Sequence, residues 1–243
     1  MKQYETFRAY AETHFRKIQE GRDFELTARG YGEWFHDCLP EDRQAPMLDV
    51  GCGHGVFLRF LELSGYQAIE GIEISEGQAV DARKRLKCPV HVVDAETWLA
   101  SHRSYYARIF LNDVLEHIER EEVVPLLQRL ATGLATGGAL VISVPQAAGI
   151  SSIYARYADF THHFLFTESS LEQVLYMSGF SRVRFLSQRL PWKWTVRHLA
   201  YRLMRVLYVQ LMRLAFTLEQ PGEHPPSHFE RRIYAEARLP EGE

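Results

Sequence analysis

The chain has 243 residues, of which 46% are hydrophobic and 24% are charged, and its formal net charge is −3. This length suits one large α/β domain with a sizeable core, and the composition is that of an ordinary globular protein. No stretch reaches the roughly 20 apolar residues of a transmembrane helix, and the opening "MKQYETFRAYAETHF" lacks the apolar core of a signal peptide. The sequence therefore predicts a cytoplasmic protein. Its three cysteines form no CxxC pair, which indicates reduced thiols and no zinc site.

The N-terminal region is predicted to be helical. In "YETFRAYAETHFRKIQE" aromatic residues recur at helical spacing. "FELTARGYGEWFHDCLP" predicts a second helical element, which is broken near Gly30 and Gly32 and ends at Pro40.

From Pro46 onward, short apolar runs alternate with helix-forming segments. The predicted strands lie in "MLDVG", "YQAIEGIEI", "CPVHVVD", "ARIFLND" and "GALVISVP", and the predicted helices between them cover 55–64, 76–87, 95–102 and 121–134. Buried strands that alternate with helices predict a parallel sheet that is covered on both faces.

The segment after Pro145, "QAAGISSIYARYADFTHHFLF", is predicted to be a loop. A helix follows it near Thr167, where "TESS" supplies capping residues. Two further strands are predicted in "GFSRVRFLSQRL" and "HFERRIYAEARL", and a long helix over 192–218 separates them.

The loop in "MLDVGCGHGVF" is rich in glycine, which lets a backbone turn sharply and lets a ligand lie against it. Its third glycine, Gly55, comes one residue earlier than in the dinucleotide pattern GxGxxG, and no Gly-Lys-Ser/Thr of a P-loop follows. Asp49 lies inside the preceding strand, where a carboxylate would repel a pyrophosphate and attract a cationic ligand. The loop therefore favours a positively charged cofactor.

Two more acids follow the next two strands. Glu73 lies 22 residues after Gly51, at the strand end where an acid can accept hydrogen bonds from the hydroxyls of a ribose. Asp94 ends the third strand and is placed to reach an adenine amine. Together with Asp49, these acids predict an adenosine site at the carboxyl edge of the sheet.

The strings "LDVGCGHGVF", "GIEIS", "VVDAETW" and "IFLNDVLEHI" resemble successive motifs of class I S-adenosylmethionine-dependent methyltransferases. The resemblance is close over about residues 45–145 and looser as far as 185. It implies a Rossmann-like, doubly wound α/β sheet of seven strands, with the last strand antiparallel and a helical insertion between strands six and seven. It also implies an enzyme that uses S-adenosylmethionine.

The resemblance also implies roles for individual residues. The cofactor contacts would come from Asp49, Gly51, Gly53 and Gly55, the ribose contacts from Glu73 with Ile74, the adenine contacts from Asp94 and Ala95, and a floor from Asn112, Asp113 and Val114. We expect a single domain, divided into a helical cap at 1–44, a cofactor-binding core at 45–190, a basic amphipathic helix and loop at 191–226, and a final strand and tail at 227–243.

The acceptor is predicted to lie beyond strands four and five. Methyl transfer from a sulfonium is an in-line displacement, and a hydroxyl acceptor needs a base, whereas a phosphate or carboxylate does not. His162 and His163, with Asp159 nearby in "RYADFTHHF", are the candidate catalytic residues because an imidazole can take a hydroxyl proton. "LNDVLEHI" supplies Glu116 and His117 as weaker candidates.

A metal site can be imagined from a set of four residues of these same segments, but their spacing matches no strong ligand pattern. The sequence therefore predicts no metal. The four residues are Asp113, His117, Asp159 and His162.

The string "DFTHHFLFTESSLEQVLYMSGF" is similar to a segment of bacterial methyltransferases of surface-polysaccharide and O-antigen synthesis, and "ARGYGEWFHDCLP" resembles their N-terminal helix. This narrower resemblance implies a sugar hydroxyl or a terminal phosphate as acceptor. The alternatives are a small-molecule methyltransferase of quinone, lipid or secondary metabolism, a cofactor-binding subunit without activity, and a nicotinamide oxidoreductase.

The predicted helix over 192–218 lies in a basic stretch, because no acid occurs between Glu172 and Glu219. On a helical wheel its leucines and valines fall in one arc and its arginines outside it. Such a helix suits an anionic membrane surface, or else it packs on its own domain or on a second subunit. Nucleic acid is not an expected partner, because the cofactor region is acidic.

Overall fold

The computed structural model describes residues 23–188 and 195–240. The helix predicted in "YETFRAYAETHFRKIQE" lies outside the described residues, as do Trp192 and Trp194 at the start of the predicted basic helix.

Seven strands form one sheet. They are β1 Met47–Val50, β2 Ile69–Glu73, β3 Val90–Val92, β4 Tyr106–Asn112, β5 Leu134–Pro145, β6 Arg182–Phe185 and β7 Arg232–Arg238. Their order across the sheet is β3-β2-β1-β4-β5-β7-β6. The neighbours among the first five strands pair in parallel, and β7 is antiparallel to both β5 and β6. This confirms the predicted doubly wound sheet with an antiparallel last strand.

The helices alternate with these strands. They are α1 Phe24–Gly30, α2 Gly32–Phe35, α3 Val56–Leu63, α4 Glu76–Arg83, α5 Ala95–Ala100, α6 Arg120–Gly133, α7 Ser152–Ala158, α8 Glu168–Met177 and α9 Val196–Glu219, and a 3-10 turn covers Leu115–His117. One prediction was wrong: the segment after Pro145 is not all loop, because it contains α7.

Side chains that alternate along the strands supply both faces of the sheet, as the pleat requires. Leu48 belongs to a buried apolar cluster that includes residues of α5, α6 and α8. Its neighbour Met47 belongs to a second cluster, with residues of α1, α2 and α3. In that second cluster the rings of Phe57 and Phe110 lie 4.6 Å apart between centroids. The sheet is therefore covered by helices on both faces.

The antiparallel direction of β7 matters for the site. Parallel strands end at one common edge of a sheet, whereas an antiparallel strand begins there. The register pairs Arg232, the first residue of β7, with Pro145, the last residue of β5. Arg232 is therefore at the edge where the loops of the parallel strands meet.

Helix α9 joins β6 to β7 and lies on the outside of the domain. Thr195 caps its first turn by accepting a hydrogen bond from the His198 backbone N–H, at 3.2 Å. None of its described residues is buried. No helix in the described part of the chain is long and apolar enough to cross a membrane.

Candidate active site

A cavity of about 730 Å³ opens at the carboxyl edge of the parallel strands. The predicted site residues that line it are Asp49, Gly51, Gly53, Glu73, Ile74, Asp94, Ala95, Asn112, Asp113, Val114, Asp159 and His162. Gly55 and His163 are not among the residues that line it. The structure thus brings residues from several separate chain segments to one site.

The glycine loop after β1 forms one wall as a close-fitting cradle. Gly51 and Gly53 have φ angles of 70° and 54°, in the left-handed region that favours glycine. A Cβ atom on Gly51 would lie 2.8 Å from Cγ2 of Val114. Gly55 serves a different purpose, because its missing Cβ faces Leu86 rather than the cavity. The cofactor contact predicted for Gly55 stays a prediction.

Asp49 is buried at the base of this cradle, with 2% of its surface exposed. Burial raises the pKa of its carboxyl to about 8, with the nearby charge of Glu73 adding to the rise and the neighbouring Asn112 opposing it. Its Oδ1 atom has no hydrogen-bond partner among the described residues. A buried acid that faces a cavity in this way fits a ligand with positive charge.

Glu73 and Asp94 shape the adjacent wall. Glu73 accepts hydrogen bonds from the backbone N–H groups of Gly53 at 2.9 Å and Ser75 at 2.8 Å, so it ties the glycine loop to the end of β2. Asp94 accepts a hydrogen bond from the Thr97 N–H at 2.8 Å and caps α5. Each carboxylate has lone pairs beyond these bonds for ligand hydroxyl or amine groups.

The floor contains a strained residue. Asp113 has a φ of 53°, which is uncommon for a residue other than glycine and is typical of functional sites. Its two carboxylate oxygens accept hydrogen bonds from Arg232, at 2.8 and 2.7 Å. This forked pair raises the pKa of Arg232 above its usual range, chiefly through the charge of Asp113.

Sequence reasoning missed several residues that line the cavity. Arg232 and Tyr234 belong to β7, and Tyr31 and Trp34 belong to the N-terminal helices. The rings of Trp34 and Tyr234 stack with centroids 4.1 Å apart. For Arg232 and Tyr234 the sequence did offer a signal, the antiparallel direction of the last strand, because this direction places the beginning of that strand at the cofactor edge.

Glu116 and His117 lie on the 3-10 turn after β4 and line the cavity. Glu116 is fully buried, and neither of its carboxyl oxygens has a hydrogen-bond partner among the described residues. Burial, with the charge of Asp113, raises its pKa well above the usual range. Burial also lowers the pKa of His117 to about 4, so its imidazole is neutral at physiological pH.

The loop after α7 lies against this turn. The His163 backbone N–H donates to the Glu116 carbonyl at 2.8 Å. The Thr161 hydroxyl donates to Asp159 Oδ1 at 2.7 Å and lies 2.8 Å from His117 Nδ1, so in this contact the imidazole is the donor. These bonds hold two distant chain segments together.

The two adjacent histidines of this loop differ in position. His162 lines the cavity, and its Nδ1 donates to the Ala155 carbonyl at 2.9 Å, so the lone pair of the neutral ring is on Nε2. Asp159 Oδ2 lies 3.9 Å from that Nε2. The His163 ring instead lies 3.5 Å from Glu119 and is more than one-third exposed. Of the two, the geometry favours His162 for contact with an acceptor, since its lone pair can accept a proton or a metal ion.

The sheet order and the glycine cradle at the carboxyl edge define a class I methyltransferase fold. A sequence profile of the methyltransferase domain family matches residues 15–184, which is more than half of the chain, and the chain therefore belongs to this family. The protein is an S-adenosylmethionine-dependent methyltransferase. No curated protein matches the sequence.

Solved structures share the fold at low sequence identity. An S-adenosylmethionine-dependent methyltransferase from Archaeoglobus fulgidus is 20% identical with a TM-score of 0.65, and the match covers 92% of this chain and 99% of that one. Magnesium protoporphyrin IX methyltransferase from Synechocystis, with bound S-adenosylmethionine, is 17% identical with a TM-score of 0.58 and 98% coverage of both chains. A putative methyltransferase of Haloferax volcanii, in complex with the activator Trm112, is 13% identical with a TM-score of 0.62, covering 96% and 97%.

Proposed function

We propose that this enzyme transfers a methyl group to a hydroxyl group of a sugar in a bacterial surface-glycan precursor. The observation that carries the proposal is the charge of the cavity. Its described lining holds nine carboxyl groups and two arginines. The acids outnumber the arginines even though burial raises the pKa values of Asp49 and Glu116 and so favours their neutral forms. A phosphate or carboxylate acceptor would enter this cavity against electrostatic repulsion, whereas a sugar hydroxyl would not.

The two arginines do not reverse this argument. Arg232 is bound in the fork with Asp113, and Arg129 lies 3.5 Å from Glu96. Of the two acceptors that the sequence suggests, a hydroxyl therefore suits the cavity better than a terminal phosphate. Carboxylates that accept hydrogen bonds are also the usual partners of sugar hydroxyls.

Different residues would bind the cofactor and the acceptor, at the two ends of the cavity. Asp49, Glu73 and Asp94 would bind the cofactor, which supplies an electrophilic methyl group when bound. His162 and Asp159 would contact the acceptor hydroxyl and hold its oxygen in line with the methyl carbon, since correct orientation supplies much of the rate in such a displacement.

The test is methyl transfer from labelled S-adenosylmethionine to a panel of nucleotide-linked and lipid-linked sugars, with quinones and catechols as the competing small-molecule class. We expect label on a sugar oxygen, and label on the phosphate or only on the small molecules would contradict the proposal. His162→Ala should lower turnover at least about 100-fold without changing S-adenosylhomocysteine affinity. His163→Ala is the matched control and should keep its activity.

We also propose that α9 lies on an anionic membrane surface, where a lipid-linked acceptor would be found. The apolar arc of the helix points away from the domain, with five leucines more than two-fifths exposed: Leu199, Leu203, Leu207, Leu211 and Leu214. Its other side faces the domain, where Arg205 pairs with Glu230 and Arg213 donates to the Ser227 carbonyl. A helix with exposed leucines and flanking arginines has the composition of an interfacial helix.

A second exposed apolar patch supports this orientation. Ile153, Tyr154, Tyr157 and Phe160, in and just after α7, are 73–96% exposed. The segment that leads into α7 and helix α9 both contact residues 227–230, through the Gln146 bond to the His228 carbonyl and through the arginines named above. Aromatic side chains of this kind are favoured at the boundary between water and lipid.

Flotation with vesicles measures this contact. At low salt we expect the protein to float with phosphatidylglycerol vesicles and much less with phosphatidylcholine vesicles, and Leu203→Gln with Leu207→Gln should abolish flotation. The contrary outcome is a protein that never floats with vesicles and forms a dimer in solution, which the two leucine substitutions dissociate. That result would show that a second copy of the chain covers the helix instead.

A further inference from the structure

Three potential ligand atoms meet at the acceptor end of the cavity. One atom each from Glu116, His117 and His162 lies within 4.8 Å of the others. We refer to these three residues as the Glu116 cluster. They come from the 3-10 turn after β4 and from the loop after α7, which the backbone bond from His163 to Glu116 holds together. The cluster is therefore fixed by the fold rather than by one flexible segment.

The carboxyl group of Glu116 supplies the second observation. It is fully buried, it lines the cavity, and neither oxygen has a hydrogen-bond partner among the described residues. Buried polar groups in folded proteins are nearly always hydrogen-bonded, paired or bound to a metal, because leaving them without a partner is unfavourable. A ligand that uses these oxygens would remove this cost.

The imidazoles are arranged as metal ligands usually are. A metal-binding histidine typically donates its other N–H to a carbonyl or another acceptor, which fixes the ring and directs its lone pair. His162 Nδ1 donates to the Ala155 carbonyl, and His117 Nδ1 donates to the Thr161 hydroxyl, which is itself bound to Asp159. In both rings Nε2 is then the nitrogen that could bind a metal ion.

We propose that Glu116, His117 and His162 bind one divalent transition-metal ion at the acceptor end of the cavity. Two imidazoles and one carboxylate are ligands that Zn²⁺, Mn²⁺ and Fe²⁺ accept, whereas Mg²⁺ and Ca²⁺ prefer oxygen ligands alone. Three protein ligands leave room in the coordination shell for an oxygen atom of the acceptor.

The role of the ion rests on the proposed function, because it acts on a hydroxyl acceptor. With the ion bound, His162 would hold the acceptor oxygen through the ion rather than contact it directly. An oxygen that binds a divalent cation loses its proton more readily. The acceptor oxygen would release its proton to solvent water and form the new bond to the methyl carbon. The bond between that carbon and the cofactor sulfur breaks, and its electron pair stays on the sulfur.

The sequence alone predicts no metal here, because the ligands share no short spacing. His117 and His162 lie in separate segments, and Glu116 precedes His117 directly, so no helical or loop pattern of known metal sites appears. The three-dimensional contact between the two segments is what brings them together.

The experiment measures metal binding by the full-length chain without any acceptor. Protein freed of metal by chelation is titrated with Zn²⁺ by calorimetry and with Mn²⁺ by electron paramagnetic resonance. We expect one ion per chain, with affinity lowered at least about 10-fold in Glu116→Gln and in His162→Ala. His163→Ala is the matched control, since it removes the adjacent imidazole outside the cavity, and it should bind the ion as the wild type does.

S-adenosylhomocysteine binding, measured on each variant, shows that it is folded. No binding of either ion by the wild type would overturn the proposal, and so would equal affinity in the wild type, Glu116→Gln and His162→Ala. These results do not depend on the acceptor: if the ion binds in the cluster but no sugar is methylated, the proposed acceptor is wrong and the metal site stands. Full activity of the metal-free protein on a sugar would overturn the role of the ion in methyl transfer.

Discussion

The burial of Asp49 shows, at the scale of one residue, how a group placed to bind a ligand can lower the stability of the ligand-free protein. Its carboxyl has a pKa of about 8 in the folded protein, against 3.8 for the ordinary group. Between these two values the unfolded chain has released the proton that the folded chain still holds, so the folded state loses stability as the pH rises from about 4 to 8. A cationic ligand would recover that loss because it favours the ionised carboxylate.

The first prediction concerns Asp49→Asn. The amide is neutral at all pH values, so at pH 7 the ligand-free variant should be more stable than the wild type, by on the order of 1–4 kcal/mol. The same variant should bind S-adenosylmethionine at least about 10-fold more weakly, because a buried charge contact is lost. Thermal unfolding and calorimetric titration measure the two effects.

The pH dependence provides the control for this prediction. Near pH 4 both the wild type and Asp49→Asn are uncharged at this position, so their melting temperatures should converge. A variant that is less stable than the wild type at pH 7, or a difference that does not change between pH 4 and 8, would show that burial of Asp49 does not cost stability.

Some residue roles could be predicted from the sequence and others could not. The acids at the strand ends could be predicted, because parallel strands bring their carboxyl ends to one edge whatever the tertiary detail. Glu73 and Asp94 do line the cavity. Arg232 could not be found in this way, since it lies 119 residues after Asp113 and reaches it only through the register of β7 against β5.

The turn from β1 into α3 shows, at the scale of an element, why glycine is needed there. Gly55 caps α3 with a φ of 79°, and a Cβ atom built on it would lie 2.4 Å from Leu86 Cδ1. Gly65, after the end of the same helix, has a similar φ of 86° but no atom within 4 Å of such a Cβ. Substitutions at the two glycines therefore distinguish the energetic cost of a left-handed backbone, present at both, from the cost of steric overlap, present at Gly55 alone of the two.

The second prediction compares Gly55→Ala with Gly65→Ala. Gly65→Ala should lower the free energy of unfolding by about 1–2 kcal/mol, the cost of a left-handed backbone for a residue with a Cβ. Gly55→Ala should cost a further amount of about 1–3 kcal/mol, because the Leu86 side chain and Ala82 of α4 must shift to admit the methyl group. Urea denaturation measures both, and equal losses in the two variants would contradict the packing argument.

Helix α7 was predicted as loop for a physical reason. A helix is found in a sequence by the apolar stripe that it buries, but only Ser152 of α7 is buried, while Ile153, Tyr154 and Tyr157 are exposed. The strands and core helices have buried apolar positions at regular spacing, and there the predicted and observed elements agree closely. The sequence thus predicts elements that pack on the core better than elements that face outward.

At the scale of the whole molecule, α9 is an insertion between two paired strands rather than a part of the core. β6 and β7 pair directly, with Phe185 opposite Ala235. Beyond them Ser187 Oγ lies 2.9 Å from His228 Nε2, so the chain leaves and returns at nearly the same place. The sequence predicted helix α9 as an element but left open whether its leucines pack on the domain or face outward, because an arc of leucines has the same pattern in both cases. In the structure none of its residues is buried.

The third prediction is that α9 can be removed without unfolding the domain. Replacing residues 189–226 by a short Gly-Ser linker loses the contacts of Arg205 and Arg213, and partly exposed pairs of this kind contribute about 0–1 kcal/mol each. The shorter connection lowers the entropy of the unfolded chain and offsets part of that loss. We therefore expect a melting temperature within a few degrees of the wild type, an unchanged rise in that temperature with S-adenosylhomocysteine, and no flotation with anionic vesicles. A deletion variant that unfolds, or whose melting temperature no longer rises with S-adenosylhomocysteine, would mean that α9 supports the cofactor site. Because β6 and β7 pair with each other without any contribution from α9, we expect the deletion to remove only the membrane contact.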